Sequence, residues 1–291
     1  IYTRFLSMAD KNNENQENCT HDCSSCGSAC SKKQTKISLG KGSSVKKVIA
    51  VVSGKGGVGK SLVTTLLATE MNKKGYRTAI LDGDITGSSI PTGFGMGTAD
   101  IFVKDEMLEP AVTKSGIQFI GTNLLLQHET DPLAWRGAKI AGQLLQFWKD
   151  VRWHDVDYMF IDTPPGTGDV SLTLFQSIPV DGIIIVSTPQ SLVKMIVEKA
   201  INLANLMNVP IIGLVESMSF VKCPDCGKEM RIFGKSHVDE ISQAYGLPVL
   251  ARIPIDENIS KAVDEGKIED VDADFMQGAV DLISTMMKAK K

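Results

Sequence analysis

From Val45 onward, short apolar runs alternate with longer stretches in which apolar residues recur every three to four positions. "VKKVIAVVS" is a β-branched run ending in a glycine loop, and "TAILD", "IQFIG", "DYMFID", "GIIIVS", "IIGLVES" and "LPVLARI" follow it. Runs of this length, rich in Val and Ile, predict strands. They are apolar at nearly every position, so both faces of those strands are expected to be covered. Between many of them lie helical patterns: "KSLVTTLLATEMNKK", closed by Gly75, then residues 137–150, 191–207 and 237–245. The alternation predicts an α/β fold, a mostly parallel sheet flanked by helices on both faces. The last stretch, "DADFMQGAVDLISTMMKAKK", predicts one amphipathic helix with Met276, Val280, Ile283 and Met287 on one face.

Residues 9–44 break this pattern. They are polar, with almost no large apolar side chains, and cannot offset the entropy of folding by burial alone. The expected organisation is a flexible tail over residues 1–44 and one nucleotide-binding domain over residues 45–291. The chain has 291 residues, 43% hydrophobic and 22% charged, with a net charge of −3. That balance carries no basic footprint for nucleic acid. No apolar run approaches the ~18–20 residues of a membrane span. The N-terminus lacks the apolar core of a secretory signal, and Met8 would make a natural start. A reducing cytoplasm is therefore expected, where the six cysteines suit metal ligation better than disulfides.

"GKGGVGKS" at residues 54–61 fits G-x-x-x-x-G-K-[ST] between a predicted strand and a predicted helix. The backbone N–H groups of Gly54, Lys55, Gly56, Gly57, Val58, Gly59, Lys60, Ser61 and Leu62 are placed to curl round phosphate oxygens, helped by the helix N-terminus. Lys60 supplies charge to the outer phosphates, and the Ser61 hydroxyl can ligate Mg²⁺. Lys55 is additional to the motif. It reads either as a solvated loop lysine or as one that reaches phosphate across a symmetric interface. "LDGDITGSSIP" puts Asp82 and Asp84 at the carboxyl edge of the sheet, where one could orient water and another support Mg²⁺. "YMFIDTPPGTGD" is a strand ending in Asp162, a third candidate for Mg²⁺, before a loop that Gly166 and Gly168 make pliable.

Two cysteine groups remain. Cys223 and Cys226 stand in "CPDCGK", a CxxC that is half of a four-ligand site. Cys19, Cys23, Cys26 and Cys30 lie within one short stretch and could close round a cluster or a metal ion. His21, His128 and His154 read as solvated or structural.

"SGKGGVGKS" resembles the deviant Walker A motif, K-G-G-x-G-K-[ST], of the ParA/MinD/nitrogenase-iron-protein class of P-loop NTPases. That likeness implies that Lys55 acts across a nucleotide-sandwich dimer and that Asp84 positions the attacking water, with Asp82 beside the Mg²⁺. "DGDITGSSIP", "WRGAKIAGQLLQFWKDVRWHDVDYMFIDTPPGTGD", "STPQSLV" and "ESMSFVKCPDCG" together resemble the Mrp/NBP35 (ApbC-like) family of P-loop ATPases, from Lys46 to the C-terminus. The resemblance implies an ATP-dependent iron–sulfur cluster carrier with slow ATP hydrolysis. It implies a homodimer in which Cys223 and Cys226 of two chains bridge one labile [4Fe–4S] cluster, and partners that are cluster scaffolds and apo-protein acceptors. The N-terminal cysteines are spaced more tightly than in that family's eukaryotic branch; a labile cluster, zinc, or hand-over of thiolates to the carrier site are the open readings. Ser217 stands where many members have an Asn that reads the base, so ATP is implied by resemblance alone. Leu62 replaces a commoner Thr.

A different class of function is a MinD/ParA-like positioning switch with a structural zinc site. Zinc at Cys223 and Cys226 would need two further ligands, with His237 and the N-terminal cysteines as candidates. The C-terminal helix has no large aromatic anchor except Phe275, which favours core packing over membrane binding. An electron-transfer reductase like the nitrogenase iron protein would carry its cysteines far apart rather than as CxxC.

Overall fold

The computed structural model describes residues 36–84, 89–96, 101–125, 137–166, 168–190 and 193–288. The four N-terminal cysteines Cys19, Cys23, Cys26 and Cys30, together with His21 and His128, lie outside the described residues.

Strand β1 (Val45–Ser53) passes through the glycine loop into helix α1 (Lys60–Lys73), and β2 (Thr78–Asp82) follows. Then come the short helix α2 (Ile90–Gly93) and four short strands, β3 (Val103–Lys104), β4 (Met107–Leu108), β5 (Ala111–Val112) and β6 (Gln118–Ile120). Next are α3 (Gly137–Asp150), β7 (Val156–Asp162), α4 (Asp169–Ser177), β8 (Gly182–Ser187), α5 (Val193–Leu206) and β9 (Ile211–Glu216). The chain closes with the hairpin β10 (Val221–Lys222) and β11 (Glu229–Met230), then α6 (Val238–Tyr245), β12 (Val249–Arg252), α7 (Glu257–Asp264) and α8 (Gln277–Lys288).

Eight strands form one sheet in the order β12-β9-β8-β1-β7-β2-β6-β5. Its pairings are parallel except at the edge, where β5 runs antiparallel to β6. Strand side chains alternate between faces. Ile49, Val51, Ile80, Tyr158, Phe160, Ile184 and Val186 share a buried cluster with Val63, Leu66, Leu67 and Met71 of α1 and Val280 and Ile283 of α8. The intervening Ala50, Leu81, Met159, Ile161, Ile183 and Ile185 are equally buried, so the opposite face is covered too. This is the layering expected of strands apolar on both sides.

Helix α1 ends as the sequence predicts. Gly75 adopts φ +90°, its N–H donates to Asn72 O at 2.8 Å, and the Tyr76 N–H donates to Met71 O. The C-terminal segment is not one continuous helix: a 3₁₀ turn at Asp274–Met276 precedes α8. Its expected apolar face is buried in the core at Met276, Val280 and Ile283. Residues 36–44, polar enough to read as tail, are anchored to the body. The Ile37 N–H donates to Ser177 O at 2.8 Å, Trp148 Nε1 donates to Ile37 O at 2.9 Å, and Ser43 Oγ donates to Val151 O. Among the described residues no helix is long and apolar enough to cross a membrane.

Candidate functional site

The carboxyl ends of β1, β2, β7, β8 and β9 meet on one edge of the sheet, the edge at which open α/β folds bind ligands. The glycine loop leaves β1 there. Gly57 and Gly59 hold φ of +71° and +79°, a left-handed backbone that a side chain would oppose. Gly59 also caps α1, and the Val63 N–H returns to its carbonyl at 3.0 Å. The loop therefore delivers the free N–H groups of a helix start to the sheet edge, the arrangement that binds phosphate.

Asp162, the last residue of β7, is the electrostatic centre of this edge. It is fully buried. Lys60 Nζ donates to its Oδ1 at 2.7 Å, Thr64 Oγ1 to the same oxygen at 3.1 Å, and Ser61 Oγ to Oδ2 at 2.6 Å. Burial pushes the Asp162 carboxyl above the usual carboxylate range, and the Lys60 ammonium with the two hydroxyls opposes that push. Thr64 was not anticipated from the motif. Its signal was its place one helical turn beyond Lys60, on the same face of α1. Asp82 pairs with Asp162 across β2 and β7, and its Oδ1 accepts the Asp84 N–H at 2.9 Å. Asp84 Oδ2 lies 3.7 Å from Lys60 Nζ. The structure thus gathers Lys60, Ser61, Asp82, Asp84 and Asp162 into one polar cluster. Its hard oxygen donors, Ser61 Oγ beside the Asp162 and Asp82 carboxylates, suit Mg²⁺.

Lys55 stands apart from this cluster. Its Nζ donates to Gln190 Oε1 at 2.6 Å. Gly166, in the loop after Asp162, takes φ +92° and donates its N–H to Ser53 O at 2.9 Å, fastening that loop to the start of the glycine loop. Leu62 turns to the core cluster and is partly buried. Ser217 is buried at the end of β9, and its Oγ stands 2.7 Å from where a Cβ on Gly59 would lie.

Cys223 and Cys226 sit at the turn of the β10–β11 hairpin. The Cys223 N–H donates to Lys228 O at 3.0 Å and the Gly227 N–H to Cys223 O at 2.9 Å, with Gly227 at φ +70°. Hydrogen bonds from the backbone N–H groups of Cys226 and Asp225, with a further one from the Cys226 side chain, hold the Cys223 thiol below its ordinary value. A thiolate is the form that binds metal. Cys226 is exposed, and so are the neighbouring apolar side chains Met230, Ile232 and Phe233. Among the described residues no group of three or more His, Cys, Asp or Glu is placed to hold a metal ion. The proposed zinc ligand His237 instead lies 3.2 Å from Glu240 through Nδ1. His154 faces Glu109 at 2.6 Å, in keeping with a structural role.

Residues 44–288 match the ParA group's NUBPL iron-transfer P-loop NTPases. An iron-sulfur cluster carrier protein of Clostridium perfringens is 46% identical over 233 residues, covering 78% of this chain and 82% of that one. Its namesake in Methanococcus maripaludis is 39% identical over 86% of this chain and 90% of its own. Among solved structures, the nucleotide-binding protein of Archaeoglobus fulgidus in complex with ADP superposes with a TM-score of 0.73 at 40% identity, covering 80% of this chain and 91% of that one. The MinC:MinD complex of Aquifex aeolicus gives a TM-score of 0.60 at 18% identity, over 84% of this chain and 97% of that one, and shares the fold. On the match across residues 44–288 and these identities, the chain belongs to the NUBPL iron-transfer P-loop NTPase family.

Proposed function

We propose that the protein is an ATP-dependent carrier that holds a labile [4Fe–4S] cluster between two copies of the chain and passes it to apo-proteins in the cytoplasm. The observation that carries this reading is the CxxC hairpin. Its first thiol is tuned toward thiolate, its second is open to solvent, and no third ligand joins them among the described residues. Four soft thiolates suit an iron–sulfur cluster, and a two-fold axis presents the same two cysteines twice. A cluster held at a subunit interface is released when the interface opens, which is what a carrier needs of its cargo.

The nucleotide chemistry assigns roles to the sheet edge. ATP phosphates occupy the glycine loop, and Lys60 exchanges its bond with Asp162 for the outer phosphates. Ser61 and Asp162, with Asp82 beside them, would hold a Mg²⁺, whose charge would offset that of the phosphates. Asp84 positions the attacking water. Lys55 leaves Gln190 and reaches the partner chain's phosphates, the task an arginine finger performs elsewhere.

Iron, acid-labile sulfide and zinc measured on protein purified without oxygen test the reading. The expected result is about four irons and four sulfides per two chains, lost in Cys223→Ala/Cys226→Ala. Iron that survives in that variant reports on Cys19, Cys23, Cys26 and Cys30, the second thiolate set. Zinc alone, or no metal, would overturn the carrier reading and leave a nucleotide switch.

A further inference from the structure

Glu216 is the last residue of β9 and is 1% exposed. Its carboxylate is spent on two hydroxyls. Ser219 Oγ donates to Oε2 at 2.5 Å and Ser236 Oγ donates to Oε1. Both serines are buried. Ser219 precedes β10 and Ser236 follows β11, so one carboxylate grips both roots of the hairpin that presents Cys223 and Cys226. Removing a carboxylate from water is unfavourable unless its oxygens are satisfied, and these two hydroxyls satisfy them from opposite ends of the hairpin segment.

The next residue faces the glycine loop. Ser217 is buried, its N–H donates to Ser187 O at 2.8 Å, and its Oγ fills the space left by the missing side chain of Gly59. Gly59 is the loop residue that opens α1. Between the two contacts the chain turns at Met218, which takes φ +54°. That left-handed backbone is uncommon for a residue with a side chain and persists only where its surroundings enforce it. The contacts form an unbroken path: Gly59 against Ser217, Ser217 bonded to Glu216, and Glu216 to Ser219 and Ser236. Close-packed atoms along such a path have no slack in which a displacement at Gly59 could be lost.

We infer that Glu216 is a positioning residue that transmits occupancy of the phosphate loop to the hairpin carrying Cys223 and Cys226. The inference rests on the reading of those cysteines as the cargo site. It places the coupling through the β9 end, besides any movement of the loops that follow Asp82 and Asp162.

The test needs no cluster. Full-length chain free of cluster and zinc is alkylated with N-ethylmaleimide, with and without saturating Mg-ADP, and labelling of the Cys223 and Cys226 peptides is followed by mass spectrometry. In the wild type, Mg-ADP is expected to change the labelling rate about fivefold or more. Glu216→Ala is expected to shrink the response below about twofold while ADP affinity of the same cluster-free chain stays within about twofold. Glu216→Gln keeps the shape and both hydrogen-bonding positions, so it should restore the response. That rescue separates positioning from bulk destabilisation. If Glu216→Ala fails to fold, Ser219→Ala/Ser236→Ala removes the same two bonds and carries the test. A nucleotide response retained in the Ala variants, or absent from the wild type, would overturn the inference. Failure of the carrier reading is seen separately, in the iron and sulfide content.

Discussion

Fully buried, Asp162 takes hydrogen bonds from Lys60, Ser61 and Thr64, and two of these donors are the groups a nucleotide and its Mg²⁺ would claim. Lys60 is therefore paired with Asp162, a contact for which a phosphate would compete. Removing one partner of a buried pair leaves an uncompensated charge, a loss of about 3–5 kcal/mol, and Asp84 at 3.7 Å compensates part of it here. Asp162→Ala should accordingly lower the urea midpoint of the nucleotide-free chain. Mg-free ADP should narrow that gap, because phosphate re-pairs Lys60 without first displacing Asp162, and ligand binding to the folded state alone adds stability. Equal gaps with and without ADP would show that Lys60 does not switch partners. Lys60, Ser61 and Asp162 were legible in the sequence because fixed spacing from a glycine loop and a strand end dictates their place. Thr64 and the Lys55–Gln190 bond were not. A hydroxyl one turn along a helix carries no motif, and although Gln190 stands in "STPQSLV", nothing in that stretch says that Lys55 bonds to it.

At the scale of elements, the long parallel strands were readable because each is apolar on both faces and several run to six residues or more. The two-residue strands β3, β4, β5, β10 and β11 were not, since two residues display no period. The sequence also hides why glycine opens β8 and interrupts β9. A Cβ on Gly213 would come within 2.6 Å of Pro248 O, backbone of the segment entering β12. A Cβ on Gly182 would meet Ile212 Cδ1 and Cγ1 at 2.7 Å, side-chain atoms that can give more readily than backbone. Overpacking costs about 1–3 kcal/mol where the neighbour cannot yield. Gly213→Ala should therefore lower the denaturation midpoint clearly more than Gly182→Ala. A reversed order would mean that the β9–β12 pairing is looser than its geometry implies. That pairing matters for function, because the Ile253 N–H returns to Glu216 O at 2.8 Å, just where β9 hands over to the cysteine hairpin.

At the scale of the whole molecule, the single chain contains a phosphate loop with its own Lys60 but holds Lys55 on Gln190, away from the Asp162 cluster. The cysteine hairpin supplies two of the four thiolates that the proposed cluster needs and is flanked by exposed Met230, Ile232 and Phe233. Under the carrier reading proposed above both features are completed by a second copy, and a mixing experiment decides whether Lys55 acts within its own chain or across the pair. Lys55→Ala and Asp84→Ala should each abolish ATP hydrolysis as homodimers. In a mixed dimer, if Lys55 acts across the interface, one site receives an intact Asp84 and an intact Lys55, and the other receives neither. Random pairing of equal amounts makes about half of the dimers mixed, each with one working site of two, so about a quarter of the wild-type rate should return. If Lys55 serves its own phosphate loop, every site in every dimer carries one defect and mixing restores nothing. The same mixture with Cys223→Ala/Cys226→Ala added to one partner should hydrolyse ATP equally well but keep only about a quarter of its bridged cluster, because two thiolates remain in a mixed dimer where four are needed; about half would remain if each chain held its own. Recovery of hydrolysis together with loss of cluster would separate the two halves of the machine while showing that both are built from paired chains.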